Sequence, residues 1–169
     1  MTQRLGLTAT IACCALAAAA CGQDFPILSP SAAKGTFAAQ LTAAAARPAA
    51  TGSGAATARF VVQDTNAMNY EVVGSGFPLV TRLQIQAGTA ADSGVVMTTL
   101  FTSAAGVNVD SNRVVRAGTI SRTGTVFVAP FTYDSLIRRI RGGTAFVVVR
   151  TIANPLGAAR GQITPATSP

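Results

Sequence analysis

Along most of residues 35–164 the apolar positions recur every second residue, the period that puts alternate side chains on one face of a β-strand. A first strand is expected at 35–41, around Phe37. Residues 56–63 (ATARFVVQ) read as a second. Asp64, Thr65 and Asn66 give a turn signal, and residues 68–73 alternate again, with Met68, Tyr70 and Val72 on one face and Asn69 and Glu71 on the other. Two strands joined by so short a turn predict a hairpin. Over residues 79–86, Leu83 and Ile85 alternate with Arg82, Gln84 and Gln86. A loop with Gly88 and a strand at 94–101 follow. Residues 102–125 are rich in Ser, Gly and Asn and show only short β-like pieces, while 126–131 reads as extended. Residues 144–151, with Phe146, Val147, Val148 and Val149, make the strongest strand signal. Asn154, Pro155, Leu156 and Gly157 form a turn, and 160–164 is the last strand.

One segment breaks the two-residue period. In residues 132–143 (TYDSLIRRIRGG), Leu136, Ile137 and Ile140 fall on one helical face. Thr132 or Asp134 can cap the start, and Gly142 or Gly143 ends it. Arg138, Arg139 and Arg141 lie near the C-terminus, where the helix dipole favours cations. Many short strands and one helix predict an all-β domain: an antiparallel β-sandwich of Greek-key-like topology with one short helix.

Composition adds weight to a folded domain. The chain has 169 residues, 49% hydrophobic and only 11% charged, too apolar for a disordered chain. Ala and Gly carry much of that count, so the core must come from Val, Ile, Leu and Phe. The formal net charge is +7, and Lys34 is the one lysine among thirteen basic residues. A basic balance fits nucleic acid, anionic lipid or acidic polymer as partner.

The N-terminus decides among these. Arg4 is followed by an apolar run over residues 5–20, shorter than the roughly 20 residues a membrane-spanning helix needs and suited to an export signal. Ala17, Ala18, Ala19 and Ala20 then lead into Cys21 and Gly22. Small residues before a cysteine are what lipoprotein processing requires, so Cys21 is the expected lipidation site. The preferred Leu three places before the cysteine is replaced by Ala18. The alternative is ordinary signal cleavage within 17–20, giving a soluble secreted protein. Residues 22–33 hold Pro26, Pro30 and small polar residues, and read as a tether. Gly22, in place of an Asp, favours the outer membrane. The expected organisation is an export signal at 1–20, a tether at 21–33, one β domain at 34–165 and a tail at 166–169. For an exported chain, nucleic acid is not an expected partner; the membrane is, through the anchor, with anionic envelope polymers or another envelope protein beside it.

Most catalytic chemistry is missing from the residue inventory. The three cysteines (Cys13, Cys14 and Cys21) precede the domain, and the chain has no histidine. That removes thiol nucleophiles, imidazole acid–base catalysis and the usual zinc or copper ligands. Asp64, Glu71, Asp92, Asp110 and Asp134 are scattered. Neither enzymatic activity nor a metal or other cofactor is expected.

Residues 146–163 (FVVVRTIANPLGAARGQI) resemble the CHRD domain, a module of many bacterial exported proteins: an aromatic strand, a spacer with Asn-Pro and Gly, then Arg160, Gly161, Gln162 and Ile163. Residues 80–88 with Gly94 make a second match, and Phe37, Leu41, Pro48, Gly54 and Phe60 a third. The resemblance spans about residues 35–164 and implies a binding or structural module. It also implies histidines, two alternating on one strand and a third on another, at positions held here by Gln84, Gln86 and Arg150. Paired imidazoles on one strand face suit a metal, as in copper/zinc dismutases. Amides and a guanidinium do not, since Arg has no lone pair to give. Gln84, Gln86 and Arg150 are therefore the candidate ligand face, able to hold an anion or a glycan by hydrogen bonds; as alternating polar strand positions they are otherwise expected to face solvent. Arg160 is expected to be structural, bonding loop carbonyls or an acidic partner.

Overall fold

A computed structural model describes residues 35–166. The expected export signal (1–20), Cys21, the tether (21–33) and residues 167–169 lie outside this range.

The described chain forms nine strands and one helix: β1 (Thr36–Thr42), β2 (Ala55–Val62), β3 (Ala67–Ser75), β4 (Phe77–Ala87), β5 (Val95–Val109), β6 (Arg113–Ser121), α1 (Tyr133–Arg141), β7 (Ala145–Thr151), β8 (Ala159–Gln162) and β9 (Thr164–Pro165). All pairings are antiparallel. The strands follow the order β5-β4-β7-β8-β1-β2-β3-β6, with β9 beside β1. The all-β expectation with one short helix holds, and the strands form one continuous, nearly closed sheet whose halves, β5-β4-β7-β8 and β1-β2-β3-β6, share one core. The halves meet where β8 returns beside β1, at the Thr42–Arg160 pair. That return sets the order β8-β1-β2-β3. At the opposite side the chain crosses between halves from β3 into β4 through Gly76, whose φ of 69° glycine adopts without strain.

Folding the sheet over itself puts alternate residues of both halves into one core. Phe60, Met68 and Val72 from one half pack in the same cluster as Leu83, Ile85, Val147 and Val149 from the other. The predicted hairpin is present, with Val62 opposite Met68 and Phe60 opposite Tyr70. The helix also forms as its sequence suggests. Thr132 is the N-cap, its side chain accepting from Ser135 N–H while the Ser135 side chain answers the cap backbone. Leu136 and Ile140 are fully buried, each contributing about 1.5–3 kcal/mol by burial.

Two differences from the sequence reading matter. Strand β5 runs on to Val109 and is followed by a full strand β6; the polar, glycine-bearing stretch 102–125 is mostly ordered β-structure. Residues 126–131 are not a strand, and Phe127 makes an isolated bridge to Thr98. In addition, Val128 N–H donates to the Met97 carbonyl. This segment covers part of the outer edge of β5.

Candidate functional site

The site builds up from strand parity. Leu83, Ile85 and Ala87 of β4, and Ala145, Val147 and Val149 of β7, point into the core. The intervening residues therefore share the opposite face. Register aligns them in rows: Arg82 opposite Arg150, Gln84 opposite Val148, and Gln86 opposite Phe146. Strand β8 extends two of those rows, with Arg160 opposite Val148 and Gln162 opposite Phe146.

This outer face is not bare. Gln84 and Gln86 are 5% and 3% exposed, which overturns the expectation that they face solvent. Two loops cover them. Residues 88–94 fold over the Phe146 end, where a side-chain carbon at Gly94 (φ 79°) would overlap the Phe146 ring. Residues 153–157 fold over the other end, with Gly157 against Val148. The cavity left between Ala46, Gln86, Ser93, Phe146, Val148, Leu156 and Arg160 is about 10 Å³, barely one water.

The three candidate residues are brought together. Gln84 Nε2 donates to Thr99 Oγ1 at 3.1 Å. With its amide oxygen turned to Arg150, Gln86 accepts from Arg150 Nη2 at 3.1 Å and donates to the Ser93 carbonyl at 3.3 Å. The opposite orientation offers only a 3.5 Å contact to Gln84 Oε1, so the network selects the first. Arg150 Nη1 donates to the Pro155 carbonyl at 3.0 Å. Burial holds the Arg150 guanidinium below the ordinary arginine pKa, and the Arg82 charge beside it adds to the effect. It remains a cation at neutral pH.

Arg160 is buried and sits on the same face, its guanidinium over the Phe146 ring. Its two terminal nitrogens donate to the Asp92 and Thr89 carbonyls. Thr89 in turn donates its backbone N–H and its hydroxyl to the Asp92 carboxylate, and the backbone bond is the chief reason that carboxyl lies below its usual pKa. The structural role expected of Arg160 is thus a clamp on the 88–94 loop. Gln162 completes it, with Nε2 donating to the carbonyls of Gly88, Gly143 and Ala145. Gly161 is needed because any side chain there would strike the Gln40 backbone.

These amides and guanidiniums carry hydrogen bonds and charge, not metal chemistry. Among the described residues no group of three or more His, Cys, Asp or Glu side chains could hold a metal ion. Sequence reasoning missed Ser93, Thr99 and Pro155 as partners, because loop and neighbouring strand bring them in from a distance. It noted Arg82 but gave it no role. Its parity with Gln84 and Gln86 was the available signal.

A family model described as the CHRD domain matches residues 37–163, nearly the whole described region. No curated protein and no solved structure matches the chain.

Proposed function

The chain belongs to the CHRD-domain family, and from that premise we propose that it is a non-catalytic binding or structural module, carried outside the cytoplasm on a lipid anchor at Cys21. The observation that carries the non-catalytic reading is the outer face of β4 and β7. Where the family resemblance implies histidines, Gln84 is bonded to Thr99, Gln86 to Arg150 and Ser93, and Arg150 to Pro155, and the two glutamines are buried. The cavity beside Gln86 on this face is about 10 Å³, too small for a substrate. The absence of histidine from the whole chain supports the same reading, as does the placement of the carboxylates. Glu71 is buried opposite Arg59, Asp92 is tied into its loop, and Asp134 pairs with Arg122 at 2.6 Å.

The anchor rests on the sequence around Cys21. Diacylation gives stable membrane attachment, each buried methylene contributing about 0.8 kcal/mol. The rigid module would then stand off the outer membrane on the 22–33 segment.

Fractionation of a Gram-negative host expressing the full chain, with a clickable palmitate analogue supplied, tests the anchor. Wild type is expected in the outer-membrane fraction and labelled; Cys21→Ala is expected unlabelled and soluble. Wild type that is soluble and unlabelled, indistinguishable from Cys21→Ala, overturns it. Stoichiometric copper or zinc in the purified protein would overturn the non-catalytic reading.

A further inference from the structure

Beside the closed network lies an open groove of about 470 Å³, lined by Thr81, Arg82, Thr102, Ser103, Arg150 and Ile152 among others. Its most unusual feature is a pair of like charges. Arg82 and Arg150 stand directly opposite each other on adjacent antiparallel strands and share a face. Such pairs destabilise a sheet. No acidic residue lines the groove, and among the described residues no carboxylate forms an ion pair with either arginine.

The two arginines differ in how they are held. Arg150 is half-buried and fixed at both terminal nitrogens, by Pro155 and by Gln86. Its Nε is buried and has no hydrogen-bond partner, a donor that calls for an explanation. Arg82 is exposed, and among the described residues its guanidinium makes no hydrogen bond or ion pair. One guanidinium is preorganised and the other can close over a ligand. Arg82 can fork onto an oxyanion, the geometry for which Arg is better suited than Lys, and Arg150 keeps one unused N–H on each terminal nitrogen beside its bonds to Pro155 and Gln86. Around them stand the hydroxyls of Thr81, Thr102 and Ser103, with Ile152 as an apolar wall. Hydroxyls beside a cation pair, next to an apolar surface, match a sugar ring bearing an acidic group. The volume falls within the usual range for small-ligand sites, roughly 300–1,000 Å³.

We infer that the groove between Arg82 and Arg150 binds a carboxylate- or phosphate-bearing saccharide, with the two guanidiniums on the acidic group and the hydroxyls on the ring. This site is separate from the closed face around Gln84 and Gln86, which it uses only through Gln86 as the residue that positions Arg150. It does not depend on the lipid anchor. The cationic cluster on α1, Arg138, Arg139 and Arg141, lies outside it and serves as the control.

The test is calorimetric titration of the full-length protein in detergent. The probes are a short oligogalacturonate, a glucose 6-phosphate-terminated oligosaccharide, a neutral galactan oligomer of equal length and inorganic phosphate. Salt-sensitive binding of one acidic oligosaccharide, with the neutral oligomer inert, is expected, and which of the two binds identifies the acidic group. Arg82→Gln should weaken that binding at least tenfold while leaving the melting temperature unchanged or raised, since it removes a like-charge contact. Arg138→Gln with Arg141→Gln should leave it intact. The inference fails if neither acidic oligosaccharide binds, if inorganic phosphate binds as tightly as the saccharides, if Arg82→Gln binds like wild type, or if the α1 variant loses binding equally.

Discussion

The Arg160 guanidinium carbon lies 3.4 Å from the centroid of the Phe146 ring, directly above it. The two residues come from neighbouring strands one row apart, and their contact fixes the loop that roofs the outer face of the sheet. The planar cation has to do two things at once: stack on the ring and reach two carbonyls, those of Thr89 and Asp92.

A lysine cannot do both, because its ammonium is a point charge on a flexible stem. Arg160→Ala is expected to destabilise the domain by about 2–4 kcal/mol, from lost charge-assisted hydrogen bonds and cation–π contact. Arg160→Lys should recover less than half of that in urea denaturation. A lysine variant as stable as wild type would show that the fork geometry is not used.

Gly94 and Gly143 form a matched pair of probes. Both have positive φ, 79° and 64°, so alanine costs about 1–2 kcal/mol in backbone strain at either. Only at Gly94 does the added carbon collide with Phe146; at Gly143 it meets open space. Gly94→Ala should therefore cost about 1–3 kcal/mol more than Gly143→Ala, the usual range for overpacking. Equal losses would mean that the loop yields freely and Phe146 does not set its position.

Glu71 makes the stability depend on pH in an unusual sense. It is 1% exposed, opposite Arg59 on β2, and its Oε2 has no hydrogen-bond partner. Burial raises its pKa, and the Arg59 charge only partly opposes this. A native pKa above the unfolded value means the folded state binds the proton more tightly. Its contribution is full below the unfolded glutamate value, about 4.3, and is lost as pH rises through the native one. Asp92 and Asp134 act oppositely: their lowered values, from Thr89 and Arg122 respectively, give stability above the unfolded aspartate pKa that disappears on acidification. Glu71→Gln should accordingly be more stable than wild type at pH 7, with the difference vanishing near pH 4. Melting curves across that range that stay parallel would contradict the assignment.

How far the sequence could be read depended on whether its signals were local. The β2–β3 hairpin, the Thr132 cap and the strand around Phe146 were legible because turn chemistry and periodicity sit within a few residues. The extension of β5 was not, because residues 102–109 alternate small and polar side chains with Gly106 and bury little. The parity of Gln84, Gln86 and Arg150 was readable, and so was their common face. Their burial was not. A polar residue on the outer face of a strand is usually exposed, and here it is covered by loops brought over it by Arg160 and by the turn at Asn154. The Arg82–Arg150 pairing needed the β4–β7 register, which joins strands separated in sequence by β5, β6 and α1 and follows from no local pattern.

The central claim is that the outer face of β4 and β7 is a bonded structural network, joined through the Gln86–Arg150 contact. A double-mutant cycle with Gln86→Leu, Arg150→Met and the double variant, read by urea denaturation, tests it most directly. The network predicts a coupling free energy of about 1.5–3 kcal/mol between the two positions, the range for hydrogen bonds to a charged group. Additive losses, with coupling below about 0.3 kcal/mol, would contradict it.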